Sequence, residues 1–395
     1  MYDLLIIGSG PAGSTLALNA GLSNVIAVDK KAPYRPIICG EMVPTVSLLE
    51  GEVPEKLLEG VKDTLRLMGS EVLVNEINEA RVVARINGEF VELARFKFPA
   101  HIIDKEAAIL NIVNEAKARG AVFKFNTTVE GCVRINGSFK CAVRGVGGVE
   151  YVQARMVAGA DSYPSTVHSL VTGYKYPPRE LAVVTSQRAR GYWSLSDDEI
   201  LILIDPKLAP GGFAWVFPRG DGTSNVGLGA RADVVWFRGF NIYEAHLEML
   251  KILGLRPLTK TIFMKTIPTS KPLPRIANGG VFLVGDAAGT VIPTNGAGIN
   301  TAMISSIILA RHMSDEPAYV KEFESVLGRF LRRSWLNRLN LDQLTYSEYA
   351  LRRITSILPR SMLSWGLRKA VLSSMDAKFA LATLIVRGLV GVFKL

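Results

Sequence analysis

Cysteine is scarce in this 395-residue chain, which has only Cys39, Cys132 and Cys141. Three thiols so widely spaced offer neither a disulfide framework nor metal-ligand spacing, and they fit a reducing cytosol. No charged n-region with an apolar h-region precedes the first strand, so no signal peptide is read and the chain is expected in the cytoplasm. A membrane span is lacking as well. The most apolar run, 379–393, contains Arg387. As a helix it would rise only ~22 Å, short of a ~30 Å hydrocarbon core, so it reads as a surface or docking helix. Internal repeats and low-complexity segments are absent.

Hydrophobic residues make up 48% of the chain and mean hydropathy is +0.22, high for a soluble enzyme. The length suits two domains, since single cores stop growing near ~250–300 residues. The amino terminus supplies the first motif. Tyr2 to Ile7 reads as a buried parallel strand, and Gly8-Ser9-Gly10-Pro11-Ala12-Gly13 follows at once, before a helix of small residues through Ala20. This is G-x-G-x-x-G in strand–turn–helix context, with backbone N–H groups aimed at a pyrophosphate. The next strand, Val25 to Val28, ends in Asp29, 16 residues after Gly13, where a carboxylate can accept from both ribose hydroxyls. A dinucleotide site follows.

A second site of the same kind lies far from the first. Gly280 to Val284 reads as a buried strand, with Asp286 at its carboxyl end, where open α/β sheets bind ligands. Gly296 and Gly298 then precede a helical stretch, Ile299 to His312, so bare N–H groups would point at an acceptor. A flavin offers such an edge at N1 and O2. The two motifs thus read as halves of a split FAD site.

Between them, Glu71 to Phe98 alternates in polarity around an Asn87-Gly88 turn, which signals a hairpin. Asp104 can cap a helix ending at Gly120, and Val122 to Val157 is strand-rich, with turns at Asn136-Gly137 and Gly147-Gly148. Tyr163 to Ile267 reads mostly as strands around one helix, Ile242 to Leu253. The expected division is a discontinuous cofactor domain (1–70, 99–165 and 275–315), a β-rich substrate domain (71–98 and 166–274) and a basic helical region, 316–395.

Gly8 to Gly13, Gly159-Ala160-Asp161-Ser162, and Gly285 to Asn300 together resemble the glutathione-reductase-type FAD fold, in the branch of para-hydroxybenzoate hydroxylase. The resemblance implies an α/β (α+β) protein: a Rossmann-like FAD-binding domain, an antiparallel-sheet substrate domain and a C-terminal helical region. Ser162 stands where that branch has Gly, His168 where Arg is common, and Lys105 where Arg contacts the pyrophosphate; Lys keeps the charge without the bidentate fork. Pro210-Gly211-Gly212-Phe213-Ala214-Trp215-Val216-Phe217-Pro218-Arg219-Gly220, with Asn225-Val226-Gly227-Leu228-Gly229, resembles the substrate-domain signature of geranylgeranyl reductases. That family includes archaeal digeranylgeranylglycerophospholipid reductases. Cys39-Gly40-Glu41 sits where these enzymes carry a loop beside the flavin.

The resemblance implies FAD contacts at Gly13, Asp29, Cys39, Gly40, Lys105, Val129, Asp286, Gly298 and Ile299. Gly8, Gly10 and Ala12 would shape the phosphate turn, and Gly296 the isoalloxazine loop. Alternation puts Phe213, Trp215 and Phe217 on one strand face, an aromatic wall suited to a polyprenyl chain, with Pro218 and Arg219 beside it; the same stripe could simply pack a core. The reaction implied is saturation of isolated C=C bonds in geranylgeranyl chains of isoprenoid or ether lipids, by hydride from flavin N5 and a proton. Cys39 is the candidate for the proton path. Electrons would come from an external donor, NAD(P)H or a reduced carrier. An FAD-dependent aromatic monooxygenase, or a membrane-associated flavin electron-transfer or lipid-binding protein, are the rivals. An iron–sulfur quinone oxidoreductase of this fold needs four cluster cysteines, which are not present.

The net charge of +10 is concentrated at the end. From 329 to 395 there are 12 Lys/Arg against Asp342, Glu348 and Asp376, so +9 lies in this tail. With Trp335, Trp365 and aliphatic residues at helical intervals, it resembles an interfacial region attracted to anionic lipid at the inner face of the membrane. A solvated helical face is the alternative. The flavin site and apolar content argue against nucleic acid.

Overall fold

The protein, a computed structural model, is described over residues 1–34 and 39–372, excepting the side chain of Gln343. The run 379–393 lies outside these residues. Two sheets face a common cavity. The first contains the parallel strands Val281–Leu283, Gly148–Gly159, Tyr2–Ile7, Val25–Val28 and Val122–Lys124, in that spatial order. Leu4 to Ile7 and Val25 to Val28 are buried, as a strand covered on both faces requires. The helices Pro11–Asn19, Lys105–Ala118 and Ile299–Arg311 pack together beside this sheet. Asp104 caps the second of them, its carboxylate accepting from the Ala107 amide at 3.0 Å.

The second sheet has nine strands. Its path runs Arg256–Pro257, Leu181–Arg190, Thr223–Arg231, Phe213–Pro218, Glu199–Ile204, Leu73–Ile86, Glu89–Ile103 and Met42–Pro44, with Phe263–Pro268 also paired to Leu181–Arg190. All of these pairings are antiparallel except Glu199–Ile204 with Leu73–Ile86. The long hairpin 73–103 turns at Asn87 and Gly88, both at positive φ (53° and 86°), as a tight two-residue turn requires. The C-terminal helices Glu348–Ile357 and Arg360–Val371 cover this sheet, burying Leu351 and Leu367 against its apolar face. Full burial of such a side chain contributes about 1.5–3 kcal/mol.

One reading of the sequence is corrected here. Cys132 and Cys141 are not separate thiols but form a disulfide across the strands Thr128–Ile135 and Ser138–Gly145. The Asn136-Gly137 turn sets a register in which the two residues face each other. The cysteine count therefore no longer argues for a reducing compartment. Cys39 remains a free thiol.

Beneath the strands that carry the cavity wall, the helix Ile242–Ile252 buries His246 completely. Its Nδ1 lies 2.8 Å from Thr185 Oγ1 and its Nε2 3.2 Å from Gln187 Oε1. The Gln187 amide nitrogen donates to Thr259 O, so the Gln187 oxygen accepts from Nε2–H and Thr185 donates to Nδ1. Burial lowers the His246 pKa from 6.5 to about 4. The unfolded chain then binds this proton at higher pH than the fold does. Stability is full above pH 6.5 and falls as pH drops toward about 4. Up to about 3 kcal/mol should be lost over that window. Urea titrations at either end should show a shallower loss for His246→Gln than for the wild type; equal slopes would refute the assignment.

Candidate functional site

The Gly8–Gly13 turn is built by close packing. Gly8 has φ +99°, and a Cβ there would lie 2.5 Å from Ala160 O; a Cβ on Gly13 would lie 1.9 Å from Gly8 O. Glycine lets the helix Pro11–Asn19 seat directly on the strand end. A Cβ on Gly10 would meet nothing, and Gly10 with Ala12 borders open space. That helix has no side-chain cap and no acid in its first turn, so its N–H groups face the cavity unopposed. Asp29 is fixed at the next strand end, Oδ2 accepting from the Ser9 amide and hydroxyl at 2.8 Å each and Oδ1 from the Lys31 amide at 2.9 Å. Lys105 and Val129 line the same lobe.

The second motif closes the other end. Gly285–Ala288 forms a 3-10 turn after Val281–Leu283, and Asp286 projects at the junction of the two sheets. Its Oδ2 accepts from Ser162 Oγ at 2.9 Å and from Lys265 Nζ at 2.8 Å. Burial alone would raise its pKa, but the Lys265 charge, with hydrogen bonds from Lys265 and Ser162 and the field of Lys105, holds it below the usual carboxylate range. Ser162 sits at φ +68°, a backbone position suited to glycine, and its hydroxyl is what the substitution adds. Gly296 (φ +75°) turns the following loop, and Gly298 begins Ile299–Arg311 without a side-chain cap. A second bare helix N-terminus thus opens on the same space.

Cys39-Gly40-Glu41 lies between the lobes. The Cys39 carbonyl accepts from Ser186 Oγ at 3.1 Å and Asn225 Nδ2 at 2.9 Å, while Asn225 Oδ1 accepts from Trp215 Nε1 at 3.0 Å. A Cβ on Gly40 would lie 2.8 Å from the Phe217 ring. Glu41, at φ +61°, is buried with its carboxylate between Arg219 and Arg188, the latter at 2.6 Å. Arg219 therefore turns to Glu41 rather than to the cavity. Pro218 completes the strand instead, its carbonyl accepting from Asn75 Nδ2 at 3.0 Å. Neither is among the residues that line the cavity, whereas Phe213, Trp215 and Phe217 all are.

These three rings form a continuous wall, with centroids 6.5 Å apart for Phe213–Trp215 and 6.0 Å for Trp215–Phe217. Val82, Phe98, Ile200, Ile202, Ile204 and Leu367 extend it into an apolar trough. Trough and dinucleotide lobe are parts of one cavity of about 650 Å³. Two uncapped helix N-termini, a clamped ribose-type carboxylate, a lysine and glycine-formed open turns are the donor set and space that FAD requires. Sequence reasoning missed Lys265, Glu41, Ser186 and Asn225. Asn225 and Glu41 carried a signal only as members of the segments Asn225 to Gly229 and Cys39 to Glu41; Lys265 and Ser186 carried none.

Gly13→Val should yield folded protein lacking flavin absorbance, because the side chain cannot fit against Gly8 O. Lys265→Met should release FAD at higher pH than the wild type in an acid titration followed by flavin fluorescence, since Asp286 loses the charge that keeps it ionised; an unchanged release midpoint would refute the pairing's role.

A family model described as "FAD binding domain" matches residues 1–316. A protein from Thermoplasma volcanium named digeranylgeranylglycerophospholipid reductase is 25% identical, covering 96% of each chain. One of the same name from Methanocella arvoryzae is 28% identical over 78% of this chain and 76% of its own. Among solved structures, a geranylgeranyl bacteriochlorophyll reductase-like protein from Thermoplasma acidophilum superposes with a TM-score of 0.76 at 21% identity, covering 98% of both chains. The p-nitrophenol 4-monooxygenase of Pseudomonas putida shares the fold at a TM-score of 0.64 and 14% identity, over 100% of this chain and 99% of its own. With the model matched over most of its length and both halves of the nucleotide cradle in place, this chain belongs to the FAD binding domain family of flavoproteins.

Proposed function

We propose that the chain is an FAD-dependent reductase that saturates isolated double bonds of geranylgeranyl chains in isoprenoid or ether lipids. The observation that carries this reading is the continuity of the aromatic and aliphatic trough with the cofactor cradle. An aromatic substrate would need only a small pocket, whereas this trough suits an extended hydrocarbon. The names of the relatives point the same way.

FAD would be held by Gly8, Gly10, Ala12, Gly13 and Lys105 at the pyrophosphate, by Asp29 and Val129 around the adenosine, and by Cys39, Gly40, Asp286, Gly296, Gly298 and Ile299 around the flavin. When bound, it supplies hydride at N5. The remaining task belongs to the chain itself. Phe213, Trp215 and Phe217 hold the alkene and exclude water, which fixes the reacting carbons near the point of transfer. An isolated alkene has no carbonyl to take up charge, so a proton must reach its other carbon. Cys39 stands where trough and cradle meet, on a segment pinned by Ser186 and Asn225, and is the residue assigned to that proton path. Reducing equivalents come from an external donor, NAD(P)H or a reduced carrier.

Among the described residues no helix is long and apolar enough to cross a membrane. The outer surface of the helices Glu348–Ile357 and Arg360–Val371 exposes Ile357, Met362 and Trp365 amid Arg352, Arg353, Arg360 and Arg368. This mixture supports peripheral contact with anionic lipid at the cytoplasmic face.

Reduced protein incubated anaerobically with a geranylgeranyl lipid should yield product heavier by two hydrogen masses per double bond. Unchanged substrate mass would overturn the reading, and oxygen uptake coupled to an aromatic substrate in a parallel aerobic assay with NAD(P)H would replace it with a monooxygenase. Cys39→Ser should keep its FAD and lose most turnover in the same assay; full turnover would remove Cys39 from the proton path.

A further inference from the structure

The cavity wall carries a charged cluster that the hydride chemistry does not use. Arg231 ends the strand Thr223–Arg231, and Arg338 and Asp342 lie one turn apart on the helix Arg329–Tyr346; all three border the cavity. The two arginines are only 5% and 2% exposed. Arg231 donates to Thr269 Oγ1 at 2.5 Å and to Asp342 Oδ1 at 2.8 Å. Arg338 donates to Arg179 O at 3.0 Å and pairs with Asp342 Oδ2 at 3.3 Å.

One carboxylate thus serves two buried guanidiniums. The next acid, Glu180, is engaged by Ser270 and Tyr174 and does not border the cavity. Asp233 takes the Tyr346 hydroxyl. Among the described residues neither the Nε of Arg231 nor the Nε of Arg338 has an acceptor, although buried charged donors are rarely left so. Burial and the proximity of Arg231 outweigh the pull of Asp342 and bring the Arg338 pKa down to about 10. The cluster is therefore short of negative charge on its cavity side.

Its position is equally telling. Gly229 pairs with Phe213, so Arg231 lies two residues beyond the end of the aromatic wall, about 7 Å at strand rise. Leu341, on the same helix as Arg338 and Asp342, lines the cavity too. A cationic pocket thus adjoins an apolar trough, the arrangement complementary to an oxyanion head on a hydrocarbon chain. We infer that Arg231 and Arg338 bind the phosphate-type head group of the prenyl substrate, which competes with Asp342 for the two guanidiniums. Guanidinium suits the task because its planar fork pairs with phosphate oxygens and keeps its charge when buried. This assignment rests on the prenyl-reductase reading but can fail or stand separately from it.

The test titrates FAD-loaded, full-length protein calorimetrically with geranylgeranyl diphosphate, the uncharged alcohol geranylgeraniol, and inorganic phosphate. The diphosphate should bind about 100-fold tighter than the alcohol, as two charge-assisted contacts imply. Arg338→Met should remove at least about 10-fold of that preference while leaving alcohol affinity and FAD content unchanged. Asp342→Asn, which takes away the competing carboxylate, should tighten the diphosphate several-fold, a gain that a purely structural triad would not give and that does not depend on Arg338→Met folding. Equal affinity for diphosphate and alcohol would overturn the head-group site and leave the prenyl reading intact. Phosphate binding that depends on Arg338, with neither prenyl compound bound, would keep an anion site and overturn its assignment to a prenyl head group. No binding of any of the three would overturn both.

Discussion

Asp286 is the group on which the geometry of the site depends. It stands at the carboxyl end of a strand of the first sheet, yet its charge is held by Lys265 from the second sheet and by Ser162 from the loop after Gly148–Gly159. A partly buried carboxylate is tolerated only when it is paired and hydrogen-bonded. This one is satisfied only while the two sheets keep their spacing. The same spacing sets the depth of the cavity between Gly298 and the strand Phe213–Pro218. The charge pair acts as a distance constraint across the junction of the two sheets.

Cys39-Gly40-Glu41 places a second constraint on that junction. Glu41 adopts a backbone conformation unusual for a residue with a side chain, and it is held there by Arg188 from the strand Leu181–Arg190 and by Arg219 just after Phe213–Pro218. The strain of such a conformation persists only where surrounding contacts over-determine it. Here the contacts include the Cys39 carbonyl, bonded to Ser186 and Asn225, and the Phe217 ring against Gly40. The thiol is carried by a segment with almost no freedom to move relative to the trough.

The parts legible in the sequence were those governed by local rules. The glycine turn, the acid at the next strand end and the uncapped helix at Gly298 follow from backbone sterics and spacing, so they could be read residue by residue. Period-two alternation put the three rings of the aromatic wall on one face, but the same stripe could have packed a core, and the resemblance was needed to read it as a cavity wall. Lys265 was not readable in the same way: it acquires its role from a partner 21 positions away, and nothing in its own neighbourhood distinguishes it from a solvated charge. Glu41 stood in a recognised loop, but its distant arginine partners could not be read from that loop. Arg219 misled for the converse reason. It shares the parity of the wall, but it lies just past the strand Phe213–Pro218, where its guanidinium is taken by the Glu41 carboxylate instead of facing the cavity.

Counting charge along the chain was misleading in the same sense. The basic tail was read as a surface property, yet Arg338, one of its members, is among the most buried side chains in the protein, and Trp335 lies beneath Lys271. The helix Arg329–Tyr346 has two faces that net charge cannot separate: Arg332 and Arg333 pair at the surface with Glu324 and Glu52, while Arg338, Leu341, Asp342 and Thr345, at helical spacing, face the cavity. The hairpin at Asn136-Gly137 makes the complementary point. A two-residue turn fixes which residues oppose each other, so the pairing of Cys132 with Cys141 was implicit in a turn already recognised. A spacing judged against disulfide frameworks in general hid what the register of one hairpin would have disclosed. Where a local rule determines geometry, that geometry must be carried through to the side chains before composition is used to infer their environment.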